Sequence, residues 1–361
     1  MKSPDKSKEL QSILKQELGG NQARLSLLSY LILSMLKVRS VNFKKLSAGY
    51  YNGASLLSRL RRVQRFFRQF RFEDMSYSRL IIRMLPVEGK YQLSLDRTNW
   101  KYGGLNINLL FLSVIHQGVG LPIFWCVLGN KRGNSSQQER IDLLTSFIRA
   151  VGKDRIDCLT ADREFIGKDW VSFLERHNIR FYIRVRKNMH LTIGNGKTVK
   201  AYWLLVSQPM STAYFHPKMV RMQDSLVYFS GMRFIGKDGK PDYLIVVCFS
   251  QNEMSMEIYR KRWQIEMMFK AFKSAGFRLE ESHINDYQRL NTLIRVMAIA
   301  FIWAYNMGLY LHEKVKPIAV KKHGRKSVSI FTYGLDRLNE TLINLIDSYF
   351  KIAIQLFLSC T

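Results

Sequence analysis

Cysteine is scarce in this chain. Only Cys126, Cys158, Cys248 and Cys360 occur, far apart and without a C-x-x-C pair. No H-E-x-x-H occurs either. No zinc site is expected, and reduced thiols in a cytosolic compartment are the default reading. The opening Met-Lys-Ser-Pro-Asp-Lys-Ser-Lys is too polar for a secretory signal. Uninterrupted apolar runs are missing as well. Leu105–Leu128 is broken by Asn106, Asn108, His116, Gln117, Gly118, Gly120 and Pro122 and reads as a pair of strands. Leu290–Leu311 carries Asn291, Arg295 and Asn306 and reads as a buried helix, so no membrane span is expected. There is no internal repeat.

Acids are also in short supply. Against 56 Lys and Arg stand 28 Asp and Glu, a net charge of +28. An excess of that size on a folded chain points first to a polyanion, above all nucleic acid. Ribosomal or membrane-surface association are the competing readings. The charge is spread along the whole chain, which suits wrapping an extended ligand better than a basic tail would. At 361 residues and 47% apolar composition, the chain can bury a sizeable core in two or three units.

Residues 1–85 read as helices: Ser7–Leu18, Gln22–Lys37, a turn at Asn42–Ala48, Ser55–Phe70 and Ser76–Leu85. This region holds 17 basic and 5 acidic residues. Arg59, Arg61, Arg62, Arg65 and Arg68 interleave with Leu60, Val63, Phe66 and Phe67, a pattern that suits phosphate contact by a helix backed with aromatics. A solvated amphipathic helix is the plainer alternative.

After a linker at 86–90, Tyr91–Asp96 alternates toward a strand ending on a carboxylate. Asn106–His116 and Leu121–Leu128 make two more strands around a turn at 117–120. A loop runs from Lys131 to Ser136, where Ser136-Gln-Gln-Glu139 resembles a capping box that opens a helix to Val151. Arg155–Ala161 is a fourth strand, followed by Asp162; Gly167–His177 is a helix and Ile179–Arg186 a fifth strand. The order implies an α/β layout, a meander followed by parallel additions. From 188 to 250 the character changes to short β-like runs, Tyr202–Val206, Leu226–Phe234 and Asp242–Phe249, as of an antiparallel insertion. Helices at Ser255–Ser274 and Tyr287–Val315, an exposed and mobile basic loop over 314–326, and a final helix or pair over Thr332–Leu358 complete the chain.

On a helix turning about 100° per residue, Tyr259, Arg262, Glu266 and Lys273 share a face about 60° wide. The bland reading is a solvated face with an i,i+4 pair between Arg262 and Glu266. Two further carboxylates bear on it, since Asp96 and Asp162 both sit at C-terminal strand ends, where ligands gather in open α/β sheets. Salt bridges to Arg97 or Arg163 would account for each aspartate singly. The three acids together make a donor set for hard cations such as Mg²⁺. Two such ions about 4 Å apart suit in-line phosphodiester displacement.

Asp96-Arg-Thr-Asn-Trp100, Asp162-Arg-Glu-Phe165 and the spacing Tyr259-x2-Arg262-x3-Glu266-x6-Lys273 resemble the signatures of the DDE transposases of bacterial insertion sequences, the last that of the IS-four group. The likeness covers about residues 90–310. It implies an RNase H-like, retroviral-integrase-like catalytic core in two parts, 86–187 and 251–315, with an antiparallel β insertion at 188–250. A helical DNA-binding region at 1–85 and a helical C-terminal region at 316–361, the latter suited to dimerisation, would flank that core. It implies Asp96, Asp162 and Glu266 as catalytic ligands of two Mg²⁺ ions, with Mn²⁺ as substitute. Tyr259, Arg262 and Lys273 would contact phosphates at the element end. Implied too are binding of double-stranded DNA at terminal inverted repeats, cleavage, joining to target DNA by a homodimer, and a cytoplasmic, nucleoid-associated location. A hairpin route with a flipped base would need an aromatic platform; Trp100 and Trp203 are candidates, although a core position is the simpler expectation for each. Glu164, Asp157, Glu280 and Glu281 read as surface or ion-pair acids. Two alternatives stand beside the transposase: an inactive DNA-binding derivative, and an RNase H-like nuclease without strand transfer.

Overall fold

The computed structural model describes residues 6–129, 133–250, 253–322 and 324–358. Cys360 and the Lys131–Arg132 part of the expected loop lie outside the described residues. Five helices come first: α1 (Lys6–Leu18), α2 (Gln22–Val38), α3 (Phe43–Ala48), α4 (Leu56–Gln69) and α5 (Asp74–Met84). The starts of the last four are fixed by side-chain caps. Asn21, Asn42, Ser55 and Glu73 each accept hydrogen bonds from the first-turn N–H groups of α2, α3, α4 and α5, donors that have no partner within the helix.

Then come β1 (Tyr91–Tyr102), β2 (Leu105–His116), β3 (Val119–Val127), α6 (Gln137–Val151), β4 (Ile156–Ala161), α7 (Lys168–Arg176) and β5 (Phe181–Arg184). The capping box forms as expected, with Ser136 and Glu139 bonding each other's backbone N–H. β1 does not stop at Asp96. It runs six residues further, with Thr98 and Trp100 buried and Asn99 and Lys101 exposed, and folds back on β2 through Gly103-Gly104. That glycine pair is a hairpin signal that extends the strand past its carboxylate. The turn between β2 and β3 is tighter than expected: only Gln117 and Gly118 form it, both with positive φ.

Beyond β5 lie β6 (His190–Thr192), β7 (Thr198–Lys200), β8 (Ala213–Phe215), β9 (Val220–Met222), β10 (Ser225–Ile235) and β11 (Pro241–Cys248). Tyr202–Val206 is no strand. Ala201–Leu205 forms a 3-10 turn that buries Ala201 and Leu205 and leaves Trp203 60% exposed, a spacing of four rather than two. Trp203 is therefore not a core tryptophan, whereas Trp100 is buried.

All eleven strands join one sheet, ordered β3-β2-β1-β4-β5-β11-β10-β9-β6-β7, with β8 beside β10. β1, β4 and β5 are mutually parallel. β11 pairs antiparallel with β5, so the later strands extend the sheet rather than forming a separate one.

The rest is helical: α8 (Ser255–Arg260), α9 (Gln264–Lys270), α10 (Tyr287–Tyr310), α11 (Ile330–Ile343) and α12 (Asp347–Gln355). A 3-10 turn at Lys261–Trp263 links α8 to α9, and a π turn at Ala271–Ala275 follows α9. The expected single helix is thus a continuous but unevenly wound one. α10 with its terminal π turn, Tyr287–Val315, is long and apolar enough to cross a membrane, yet 94% of its apolar window is buried inside the protein. It is the central helix of the core, with α2 and α11 against it.

Candidate active site

The two strand-end aspartates meet through sheet register. β1 and β4 are parallel, and their ladder closes on the pair Leu95 and Ala161. Asp96 and Asp162 are the next residue on each strand, so they emerge side by side at one end of the ladder. Strands about 4.8 Å apart bring two such side chains into a common space.

Glu266 arrives from α9, which lies across β1, β2 and β3. Gly120 makes that approach feasible: a Cβ there would sit 3.0 Å from the Ile265 Cα and 3.4 Å from the Gln264 carbonyl oxygen. Beside it, the Gly118 N–H donates to Oε1 of Gln264 at 2.9 Å. The sheet therefore grips the helix at the residues just before Glu266. Gly120 and Gln264 are supporting residues that the motif reading misses; a glycine inside a strand is the one sequence signal for such a contact.

Arg262 ties the acids together. Its Nη1 donates to Asp96 Oδ2 at 2.6 Å and its Nη2 to Glu266 Oε1 at 3.1 Å. Tyr259 donates its hydroxyl to Asp162 Oδ1 at 3.3 Å, and Arg184 Nη1 lies 3.8 Å from the same oxygen. Each carboxylate thus has a cation or hydroxyl against it. Burial pushes the Asp96 carboxyl up to about 6, against the pull of Arg262 and the Arg97 N–H. Burial also pushes the Tyr259 phenol up to about 12, so it stays a donor. For Arg262, burial favours the neutral form, but the Asp96 carboxylate and its neighbours outweigh it and the guanidinium is held charged.

Lys273 falls on the same side of the run but reaches β1: its Nζ donates to the Asn99 carbonyl at 2.7 Å, pairs with Glu280 at 3.3 Å and lies 5.9 Å from the Trp100 ring centre. Glu164 is bound to Arg97, whose Nε and Nη2 donate to its two oxygens at 2.9 and 3.1 Å. Buried Arg140 holds the segment after Asp162 by donating to the carbonyls of Glu164 and Ile166. Asp157 pairs with Arg180, and Glu281 with Lys45 and Arg278.

The α4 arginines are elsewhere. Arg61, Arg62, Arg65 and Arg68 are exposed on a helix packed against α2, α3 and α10. Arg59 is only half-exposed, donates to the Tyr50 carbonyl and sits against the rings of Tyr50 and Tyr51. Its guanidinium is spent on the turn before α4. Trp263 corrects an expectation: with Met256, Met267 and Phe269 it belongs to the apolar surface expected to hold this helix in a core, yet it is 62% exposed and shares a concavity with Arg184, Tyr259 and Arg262.

Among the described residues, no three acid, histidine or cysteine side chains converge tightly enough to hold a metal ion. By chemistry the three acids nonetheless fit a hard cation. They are oxygen donors, and a positive guanidinium already bridges two of them.

A family model described as the transposase DDE domain matches residues 89–303, more than half of the chain. The chain belongs to the DDE transposase domain family. The mixed α/β fold, with one large sheet and many helices, accords with it. No curated protein matches the transposase. Among solved structures, a piggyBac transposase synaptic complex with hairpin DNA is similar at 16% identity and a TM-score of 0.44, covering 99% of this chain and 83% of that one.

Proposed function

We propose that this DNA transposase cuts the ends of an insertion sequence by metal-dependent phosphodiester hydrolysis and joins the freed 3′-OH ends to target DNA. The observation that carries the reading is the bridge of Arg262 between Asp96 and Glu266, beside Asp162. Two carboxylates sharing one guanidinium, with a third held beside them by Tyr259 and Arg184, are more than separate ion pairs need. The order β3-β2-β1-β4-β5 supports an RNase H-like core, and the tyrosine-to-lysine spacing supports membership of the IS-four group.

Asp96, Asp162 and Glu266 would hold two Mg²⁺ ions, or Mn²⁺ in their place. Bound there, divalent cations supply an activated water or 3′-hydroxyl and stabilise the leaving oxygen. The protein's own groups do the rest. Arg262 swings from the carboxylates to the phosphate of the DNA end, where a planar guanidinium makes paired hydrogen bonds. Tyr259, protonated at any physiological pH, donates to a phosphate oxygen, and Lys273 offers a compact charge. If the second strand is cut through a hairpin, Trp263 and Trp203 are exposed faces for a flipped base. Homodimer assembly on the DNA and a cytoplasmic, nucleoid-associated location belong to the same proposal.

The test is cleavage of a duplex carrying the inverted repeats that flank the gene. Asp96→Ala, Asp162→Ala and Glu266→Ala should each abolish Mg²⁺-dependent nicking while DNA binding persists. Cleavage that survives all three changes sinks the proposal, and nicking without joining leaves a nuclease instead.

A further inference from the structure

We propose that the groove between α4 and the segment entering α10 is a second phosphate-binding track, gripping duplex DNA about six base pairs inward from the end held at the carboxylates. The inference rests on the transposase reading above and adds to it a site with two walls. One wall is α4, where Arg61, Arg65 and Arg68 face a cavity of about 680 Å³. The other holds Ser282, His283 and Arg289, with Lys44 of α3 at the rim. Five cations line the space, and no carboxylate is among the residues around it.

Two features of the far wall point to a ligand. Ser282 is 7% exposed and its Oγ has no hydrogen-bond partner among the described residues, an uncommon condition for a buried hydroxyl. His283, which follows it, has φ 53°, a left-handed conformation that strains a non-glycine residue and is concentrated at binding sites. Arg61 to Arg68 spans about 10 Å along the helix, which matches about three successive phosphates of one DNA strand.

The distance to the cutting site follows from β1. The His283 ring packs edge-on against Tyr102, their centres 5.2 Å apart. Tyr102 ends β1, six residues beyond Asp96, or about 20 Å of extended strand. At about 3.4 Å per base pair, that is about six base pairs of duplex.

Lys44→Gln and Arg289→Gln isolate the new wall from the α4 arginines. Binding of each to a short mixed-sequence duplex is measured across a salt series, with the thermal midpoint as a check on folding. Each change should lower the slope of log affinity against log salt by about 0.9, and Arg289→Lys should restore it. Neutral methylphosphonates scanned along the duplex should weaken wild-type binding near the sixth base pair and leave Arg289→Gln indifferent there. Slopes unchanged in both variants overturn the groove while leaving the transposase reading intact. A wild-type protein whose binding ignores salt overturns that reading itself. Displacement of the duplex by inorganic phosphate at equal phosphate concentration would make the groove a single-anion site and overturn the track.

Discussion

Arg262 has one observed contact set and one proposed role, and the two pull in opposite directions. Without DNA it is buried against Asp96 and Glu266; with DNA it is proposed to face a phosphate. Its removal leaves Asp96, itself only 16% exposed at the side chain, as an unpaired buried acid. Arg262→Ala should therefore cost about 3 kcal/mol, the low end for breaking a buried pair because Glu266 keeps contact with water. Urea unfolding measures it, and an unmoved midpoint would show that the bridge holds nothing. His116 provides the pH dependence. Burial pushes its imidazole below the ordinary 6.5, with Glu313 opposing weakly. The unfolded chain then takes up a proton before the folded one, so stability is whole above pH 6.5 and falls as pH drops below it. His116→Gln should flatten that fall in thermal melts between neutral and mildly acidic pH. At this scale the sequence was readable where spacing is local, as from Tyr259 to Glu266. It was silent on Arg140 and Arg184, whose partners are remote in the chain.

Elements meet in this protein through glycines as much as through apolar faces. α10 and α11 cross so closely that a Cβ on Gly334 would lie 1.8 Å from the Ala304 carbonyl oxygen, and one on Gly308 1.9 Å from that of Ile330. Gly334→Ala should cost about 3 kcal/mol, since the obstacle is backbone that cannot rotate away. Gly194→Ala, with nothing within 4 Å, should leave the melting temperature unchanged. Gly120→Ala is a subtler case. The added methyl meets the Ile265 Cα at 3.0 Å, so α9 shifts by a fraction of an ångström. Cleavage should fall by up to about a hundredfold, the loss that a misplacement of about 1 Å can cause, with a much smaller change in unfolding midpoint. Equal losses in both would make Gly120 a packing residue only. Alternation and caps made most helices and strands legible. The β1 extension and the 3-10 turn at Ala201–Leu205 were not, because the first depends on its partner β2 and the second on which residues the neighbouring strands bury.

At the scale of the whole molecule, charge decides how the transposase meets DNA. With a net charge of +28, affinity for any duplex should fall about a thousandfold from about 50 to about 200 mM salt if six or more phosphates are neutralised. A flat response in an anisotropy titration would contradict a basic surface that tracks the backbone. The sheet carries a different kind of information. β5 takes its second neighbour from β11, with Arg184 opposite Val246. A growing chain on the ribosome therefore cannot complete the edge of β5 until more than sixty residues later. Glu266 is made later still. By the time all three acids exist in one polypeptide, the strands that enclose them have all been synthesised. The order of translation thus withholds the three-acid cluster from every nascent chain shorter than 266 residues.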